Sequence, residues 1–206
     1  KLIVWMIDEC HSMDRKLINI LLPILQDGKL GNINVRPFVL IGATTDYNKL
    51  YKKSEALISR FQTKIYLEKY SKDEIVTIIK QYKDKMNINV SITENDYYII
   101  ANNCKGIPRE AINLLLKRFV VQDINKILKE NKIVKDGLNE TDIKILNDLN
   151  QCDKPIGSNF LAQKVALLEE DYKLIYEPFL IESGLIERTS KGRQITEKGK
   201  DLVKCL

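Results

Sequence analysis

Histidine, paired cysteines and glycine-rich loops are scarce or missing in this 206-residue sequence, and each shortage closes a class of chemistry. His11 is the sole histidine, so a histidine metal cluster is excluded. No serine or cysteine has an evident base partner, which removes the nucleophilic triads. Cys10, Cys104, Cys152 and Cys205 lie far apart without a C-x-x-C pair. That spacing speaks against a zinc ribbon or a disulfide framework and for free thiols in a reducing compartment. No apolar run approaches the roughly 18 residues of a membrane-spanning helix, the longest being broken by Asp8 or Arg36. The nine glycines are scattered, and none belongs to a Gly-x-x-x-x-Gly-Lys-[Ser/Thr] loop of the kind that cradles nucleotide phosphates. Internal repeats and low-complexity tracts are also missing. The chain begins at Lys1 inside an apolar run, without Met or signal peptide, which suggests a cut sequence.

What is present suits two or three small packed domains: 44% of residues are hydrophobic and 30% are charged. The formal net charge of +5 hides an uneven distribution. Residues 1–67 carry +4 and residues 68–133 carry +3, whereas 134–184 carry −5 and 185–206 carry +3. Charge of this kind bears on partners, not on fold. It favours nucleic acid only weakly by itself.

Leu2–Ile7 is a continuous apolar run ending in Asp8-Glu9, as in a parallel strand covered on both faces. Between Met13 and Gln26, Leu17, Ile20, Leu21, Ile24 and Leu25 recur at helical spacing, and Asp27-Gly28 stops the helix. Val35–Ile41 is a second buried strand that closes on Gly42-Ala43-Thr44-Thr45. Strand, helix and strand of these lengths predict a βαβ unit of an open α/β sheet, whose ligands bind at the carboxyl ends of the strands. After a short strand at Lys64–Leu67 the pattern turns helical. A capping box at Ser71-x-x-Glu74 opens a helix to about Met86, a second starts near Thr93, and a third runs from Pro108 to about Leu128. Residues 133–138 read as a linker. Helices at Glu140–Leu149, Phe160–Val165 and Glu170–Ser183 follow, then strands at Leu185–Thr189 and Arg193–Thr196. Three helices and a terminal hairpin form a winged-helix pattern. The domains are therefore 1–67, part of an α/β core; 68–133, a helical lid; and 134–206, the winged helix.

Asp8 and Glu9 end a strand as the paired carboxylates of a Walker-B element do, one helping to hold Mg²⁺ and the other polarising the attacking water. A strand that merely ends in a polar cap looks the same. Thr45, at the end of the next strand, suits the same water or a γ-phosphate. Arg60, in Ser59-Arg60-Phe61, suits a neighbouring subunit's nucleotide, and Arg109 opens the third lid helix, where phosphate and helix dipole meet. Either arginine, taken alone, better suits a solvated or ion-paired surface. His11 relays nucleotide state or fixes the loop, and Cys10 is buried beside the strand. At the wing, Lys191-Gly192-Arg193 forms the tip, its glycine letting the tip bend, with Arg188 nearby. These cations suit phosphates or a minor groove, though winged domains also bind proteins.

Several stretches together carry a family resemblance. They are Ile7-Asp8-Glu9-Cys10-His11, Pro37 to Thr45, Ser59-Arg60-Phe61 and Gly106-Ile107-Pro108-Arg109, followed by Tyr176-Glu177-Pro178-Phe179-Leu180-Ile181 and Leu185 to Arg193. In this order, over essentially the whole chain, they resemble the RuvB family of Holliday-junction branch-migration motors. The resemblance implies a partial AAA+ P-loop NTPase core, a lid and a winged helix. It implies a hexameric, ATP- and Mg²⁺-dependent DNA translocase that encircles duplex DNA, acts on four-way junctions in recombination and repair, and works in the cytoplasm with the nucleoid. By match, Asp8 and Glu9 are Walker B, Thr45 is sensor 1, Arg60 is the arginine finger and Arg109 is sensor 2. Arg188, Lys191 and Arg193 contact DNA.

Three departures accompany the match. The phosphate loop is missing, so these residues alone are not expected to hydrolyse ATP. Lys29–Arg36 is much shorter than the hairpin that docks the family's RuvA partner, which speaks against a RuvA-like partner here. Asp46 follows Thr45, and Ile58 replaces an arginine two positions before the finger, changes that weaken subunit contacts. The rivals are another AAA+ machine, such as a clamp loader or replication-initiation ATPase, and a non-catalytic winged-helix DNA-binding or assembly module.

Overall fold

The computed structural model describes residues 2–87 and 90–206. Its contacts divide it into two compact units, Lys1–Leu67 and Glu68–Leu206, although Lys1 itself lies outside the described residues.

In the first unit β1 (Ile3–Ile7) runs parallel to β4 (Phe38–Gly42), in register from Ile3↔Phe38 to Ile7↔Gly42. The crossover is α1 (Arg15–Asp27). Asp14 caps it by accepting the Leu17 N–H at 2.7 Å, and Gly28 ends it at φ 66°, donating its N–H to Ile24 O. The buried face of α1 is Ile18, Leu21 and Ile24, whereas Leu17 and Ile20 are exposed. The helix is thus rotated from the face its periodicity suggested, because Ile18, absent from that pattern, is the residue the core takes. A two-rung hairpin follows, β2 (Lys29–Leu30) and β3 (Ile33–Asn34). Two short helices, α2 (Tyr47–Lys53) and α3 (Glu55–Ile58), start on the caps Asp46 and Ser54.

The core of this unit is Cys10, Met13, Ile18, Leu21, Ile24, Leu50, Leu57 and Ile58. No strand residue belongs to it. Val4, Trp5, Met6, Val39 and Ile41 remain exposed, and Trp5 stacks on Phe38 at 4.3 Å between ring centroids. The expected cover on both sheet faces is therefore not formed: among the described residues β1 and β4 pair only with each other, and apolar strand faces without a second layer stay wet. The strand predicted at 64–67 is also absent. A strand exists by pairing, none forms there among the described residues, and Ile65, Tyr66 and Leu67 are highly exposed.

The second unit opens with α4 (Lys72–Lys85) and α5 (Glu94–Asn103), both begun by complete capping boxes, Ser71/Glu74 and Thr93/Asp96. Pro108 starts α6 (Pro108–Val120). This helix stops earlier than predicted, and α7 (Ile124–Glu130) restarts on Asp123, which accepts the Asn125 N–H at 2.9 Å. A local side-chain cap competes with helix continuation, and here it wins. Ile75, Ile79, Ile100, Ala111, Leu115 and Ile127 form the centre of the first core of this unit. The predicted linker at 133–138 is a hairpin instead, β5 (Ile133–Lys135) with β6 (Leu138–Asn139). Asp136 and Gly137 turn it at φ 50° and 78°, the two positive values a tight hairpin turn requires.

The last part comprises α8 (Glu140–Asn150), α9 (Ser158–Lys164) and a helical run of α10 (Glu169–Asp171), a π turn (Tyr172–Tyr176) and α11 (Glu177–Glu182). Pro178 offers no N–H to the Leu174 carbonyl and crowds it, which accounts for the widened turn just before α11. The wing is β7 (Ile186–Thr189) with β8 (Gly192–Ile195), and α12 (Glu197–Lys204), not foreseen, closes the chain. A third strand position also joins the wing: Ile156 and Arg193 exchange backbone hydrogen bonds of 2.8 Å each. Gly192 serves the turn at φ 147°, a conformation that residues with side chains rarely adopt, and also that approach, since a Cβ there would lie 2.4 Å from the Ile156 carbonyl oxygen. The two cores of this unit are tied together by Lys105, whose Nζ donates to the fully buried Asp142 at 2.7 Å and lies 4.5 Å from the Phe179 ring centroid. Among the described residues no helix is long and apolar enough to cross a membrane.

Candidate functional sites

The carboxyl ends of β1 and β4 bring four predicted residues together. The register sets Ile7 beside Gly42, and the chain then locks across the ends: Ala43 N–H donates to Ile7 O at 2.9 Å and Cys10 N–H to Ala43 O at 2.8 Å. Asp8 Oδ1 accepts the Glu9 N–H at 2.9 Å. Glu9 itself sits at φ 48°, a left-handed conformation unusual for a residue with a side chain and of a kind that recurs at functional sites. Its Oε2 accepts the Thr45 hydroxyl at 2.9 Å and lies 3.1 Å from His11 Nδ1. His11 Nδ1 is also 2.9 Å from Thr44 Oγ1. His11 Nδ1 thus makes its hydrogen bond with Thr44, while Glu9 Oε2 lies close beside the ring. Lys53 secures the turn below by donating to His11 O and Met13 O, both at 2.8 Å. His11 is nearly covered, with 13% of its side chain exposed, while Glu9 keeps 49% and faces solvent. Cys10 is buried in the core, and burial pushes its thiol pKa up, so it is not a poised nucleophile.

Thr44 and His11 are the members of this cluster whose roles sequence reasoning left loose. Their signal was position: both flank residues already singled out, on two strands whose ends must meet. Arg60 is exposed just beyond α3, where Nη2 donates to Gln26 Oε1 at 2.6 Å and Nη1 to Ser59 Oγ at 3.2 Å. Ile58, two positions earlier, is in the core at 4% exposure. Arg109 is exposed on the first turn of α6, behind the successive left-handed residues Lys105 and Gly106, in the second unit.

The wing is ordered by its own side chains. Thr189 Oγ1 accepts the Lys191 N–H at 3.2 Å and donates to Gly192 O at 3.1 Å, leaving the Lys191 side chain exposed at the two-residue tip. Arg188 and Arg193 stand opposite each other in the ladder, and both converge on Glu177, a carboxylate with no exposed side-chain surface. Arg188 donates from Nε at 3.0 Å and Nη2 at 2.8 Å, and Arg193 from Nε at 2.5 Å and Nη2 at 3.3 Å. Burial alone would raise the Glu177 pKa, but these hydrogen bonds and the two adjacent charges outweigh it and hold the carboxyl below its ordinary range. Nearby Tyr172 is wholly buried, which together with the Glu177 charge pushes its phenol far up. The three predicted wing cations thus divide: 57% of the Arg188 side chain is exposed, only 17% of Arg193 is, and Lys191 stands clear.

Comparison with known proteins bears on both sites at once. Residues 135–204 match the family model of the RuvB C-terminal winged helix domain. A Holliday junction branch migration complex subunit RuvB from Ureaplasma parvum is 35% identical over 216 residues, an alignment that takes in 96% of this chain and 68% of that protein. The chain belongs to the RuvB family. The solved Thermotoga maritima RuvB, described as a Holliday junction branch migration motor, agrees at 31% identity and a TM-score of 0.77, covering 98% of this chain and 69% of the other. An Aeropyrum pernix ORC2 protein shares the fold alone, at 15% identity and a TM-score of 0.50 over 99% of this chain and 64% of its own.

Membership in the RuvB family implies an AAA+ ATPase, and the strand-end residues fit one side of a nucleotide–Mg²⁺ site. Mg²⁺ commonly takes one or two carboxylates and completes its octahedron with water and phosphate oxygens. Asp8 suits that demand, being exposed at the strand end with Oδ1 bonded only to a backbone N–H. The triphosphate is another matter. These 206 residues include no phosphate-cradling loop, so the chain holds the acid, sensor and finger candidates without the cradle.

Proposed function

We propose that this chain provides the water-activating, lid and DNA-contacting parts of a RuvB-type motor that migrates Holliday junctions in recombination and repair. The observation that carries the proposal is the 2.9 Å bond from Thr45 to Glu9, made across the ends of two parallel strands within a chain whose whole length follows RuvB. In this reading Glu9 orients the attacking water, and Thr45 with His11 holds the carboxylate where that water must lie. Asp8 holds Mg²⁺ through an oxygen, the ion neutralising phosphate charge when bound. Arg60 reaches a neighbouring subunit's nucleotide in a homo-hexamer, and Arg109 answers to the nucleotide from the lid. The exposed wing cations grip the phosphate backbone without reading sequence, as a translocating motor requires. The setting is the cytoplasm, with the nucleoid. Residues 29–36 form only the small β2–β3 hairpin, which argues against a RuvA-like partner docking there.

The experiment is fluorescence anisotropy of the 206-residue chain on duplex and four-way-junction oligonucleotides, run beside an ATPase assay. Binding that weakens steeply with salt, and no turnover by the chain alone, are expected. Joined to a phosphate-loop half, the chain should hydrolyse ATP, and Glu9→Gln should stop turnover while sparing ATP binding. Undiminished hydrolysis by that variant removes Glu9 from the mechanism.

A further inference from the structure

The buried carboxylate under the wing lies in one of the stretches that carry the family resemblance but was given no role there, yet it governs two of the three cations expected on DNA. A carboxylate at zero exposure is tolerated only when paired and hydrogen-bonded, and Glu177 is paired twice, through four bonds. Arg188 and Arg193 are direct cross-strand neighbours, a position in which like charges repel. Glu177 lies against both and removes that conflict. The two arginines are not equivalent, however. Arg193 is largely covered, and its backbone is pinned on both sides by Ile156 at 2.8 Å. Arg188 is more than half exposed, and it uses Nε and Nη2 on Glu177, which directs Nη1 away from the carboxylate.

We propose that Glu177 is a positioning residue of the DNA surface. It holds the Arg188 guanidinium edge-on, so that the remaining edge and Lys191 meet backbone phosphates, while Arg193 is a strut under the wing and touches no phosphate. One carboxylate shared by two guanidiniums leaves a net positive charge at the wing base. A guanidinium fixed in this way presents its donors to phosphate without losing rotamer freedom on binding. The inference rests on the proposed DNA-binding role of the wing.

Anisotropy titrations of the 206-residue chain on a duplex oligonucleotide, repeated across salt concentrations, test it. Arg188→Met and Lys191→Met should each lower the log–log salt slope by about one, the loss of one phosphate contact. Arg193→Met should leave the slope unchanged. Glu177→Gln adds net positive charge, so charge alone would tighten binding, whereas loss of positioning should weaken it roughly three- to tenfold. Should Glu177→Gln fail to fold, Glu177→Gln/Arg193→Met removes the buried anion with one of its cations at constant net charge, and the same weakening is expected. Binding as tight as wild type in the variant that folds overturns the positioning role, as does an equal slope loss in Arg193→Met and Arg188→Met. A wild-type chain with no salt-dependent binding overturns instead the DNA-binding reading beneath it.

Discussion

The two units secure their functional side chains in opposite ways. In residues 1–67 the core gathers around the turn after β1 and the three helices, no strand residue is buried, and Glu9 is steered by hydroxyl and imidazole partners at a half-exposed surface. In residues 68–206 two large cores are filled, and the key arginines and Lys105 are anchored on carboxylates, Glu177 and Asp142, with no exposed surface. A group that must release and rebind a small ligand needs an accessible carboxylate with short-range steering. A surface that must keep its shape against a long polyanion needs cations held from below. The first arrangement costs little stability when broken, and the second costs a great deal.

The largest effect expected from this contrast is in the second unit. Leu146→Ala, at a position with no exposure, should cost about 2–5 kcal/mol, a lost side chain plus the cavity it leaves. Trp5 is the only tryptophan and lies in the first unit, so its emission follows that unit while far-UV circular dichroism is dominated by the helices of the other. Leu146→Ala should lower the dichroism midpoint and leave the Trp5 transition in place. If both probes shift together, the two units unfold as one body and the comparison fails. Next in size is Lys105→Met, which keeps the stem on Phe179 but strands Asp142 without its cation. Removing one partner of a buried pair commonly costs 3–5 kcal/mol, and the partial exposure of Lys105 reduces this to about 2–3 kcal/mol. Asp142 also caps α8 through the backbone of Asn139, so the double variant Lys105→Met/Asp142→Asn should recover part of the loss in a thermal melt.

Much of this contrast was legible in the residues themselves. The caps Ser71, Thr93 and Pro108 place helix starts because they answer unsatisfied backbone donors locally, and Asp-Glu after an apolar run marks a strand end for the same local reason. Asp136-Gly137 carries a hairpin-turn signal, but flanking strands of only two and three residues give it no periodicity to stand against a linker. Other features depend on distant partners. Leu17 and Ile20 have helical spacing, but only the packed core decides that Ile18 faces inward instead. Gly192 looks like a flexible tip until Ile156 is set against it. α12 has a local cap, Thr196 accepting the Gly199 N–H at 3.1 Å, but its few and late apolar residues give no helical periodicity to read. Glu177 carries no local sign of burial at all, because its two partners lie eleven and sixteen residues away.

Acid should expose the anchored carboxylate with a smaller effect. Burial opposes ionisation of Glu177, yet the two arginines prevail and its folded pKa lies below the ordinary value, near 4.3 for an unfolded glutamate. A carboxyl depressed on folding stabilises the protein at every pH above its unfolded pKa. That stabilisation fades as pH falls through this value towards the folded one, where the proton finally enters the native state. Wild type should therefore lose its advantage over Glu177→Gln progressively below about pH 4.3, read as the difference between their melting midpoints. A difference that stays constant across this range would mean that Glu177 acts by shape and not by charge.

The smallest stability effect belongs to Thr45→Val, and it separates function from fold most sharply. The variant keeps the shape and removes one hydroxyl donor from an exposed carboxylate, so the melting midpoint of the 206-residue chain should move by no more than about 0.5 kcal/mol allows. Water can replace the lost donor in the resting protein, but it cannot hold Glu9 in one direction. In a form completed by a phosphate loop, the same substitution should lower kcat by roughly a hundredfold, the usual cost of one preorganised donor, with KM little changed. His11→Leu, which removes the imidazole beside Glu9 Oε2 and its bond to Thr44, should fall between wild type and Thr45→Val in turnover. A Thr45→Val protein that loses several kcal/mol of stability would show that the strand-end network supports the fold, and the contrast between a steered and an anchored site would collapse.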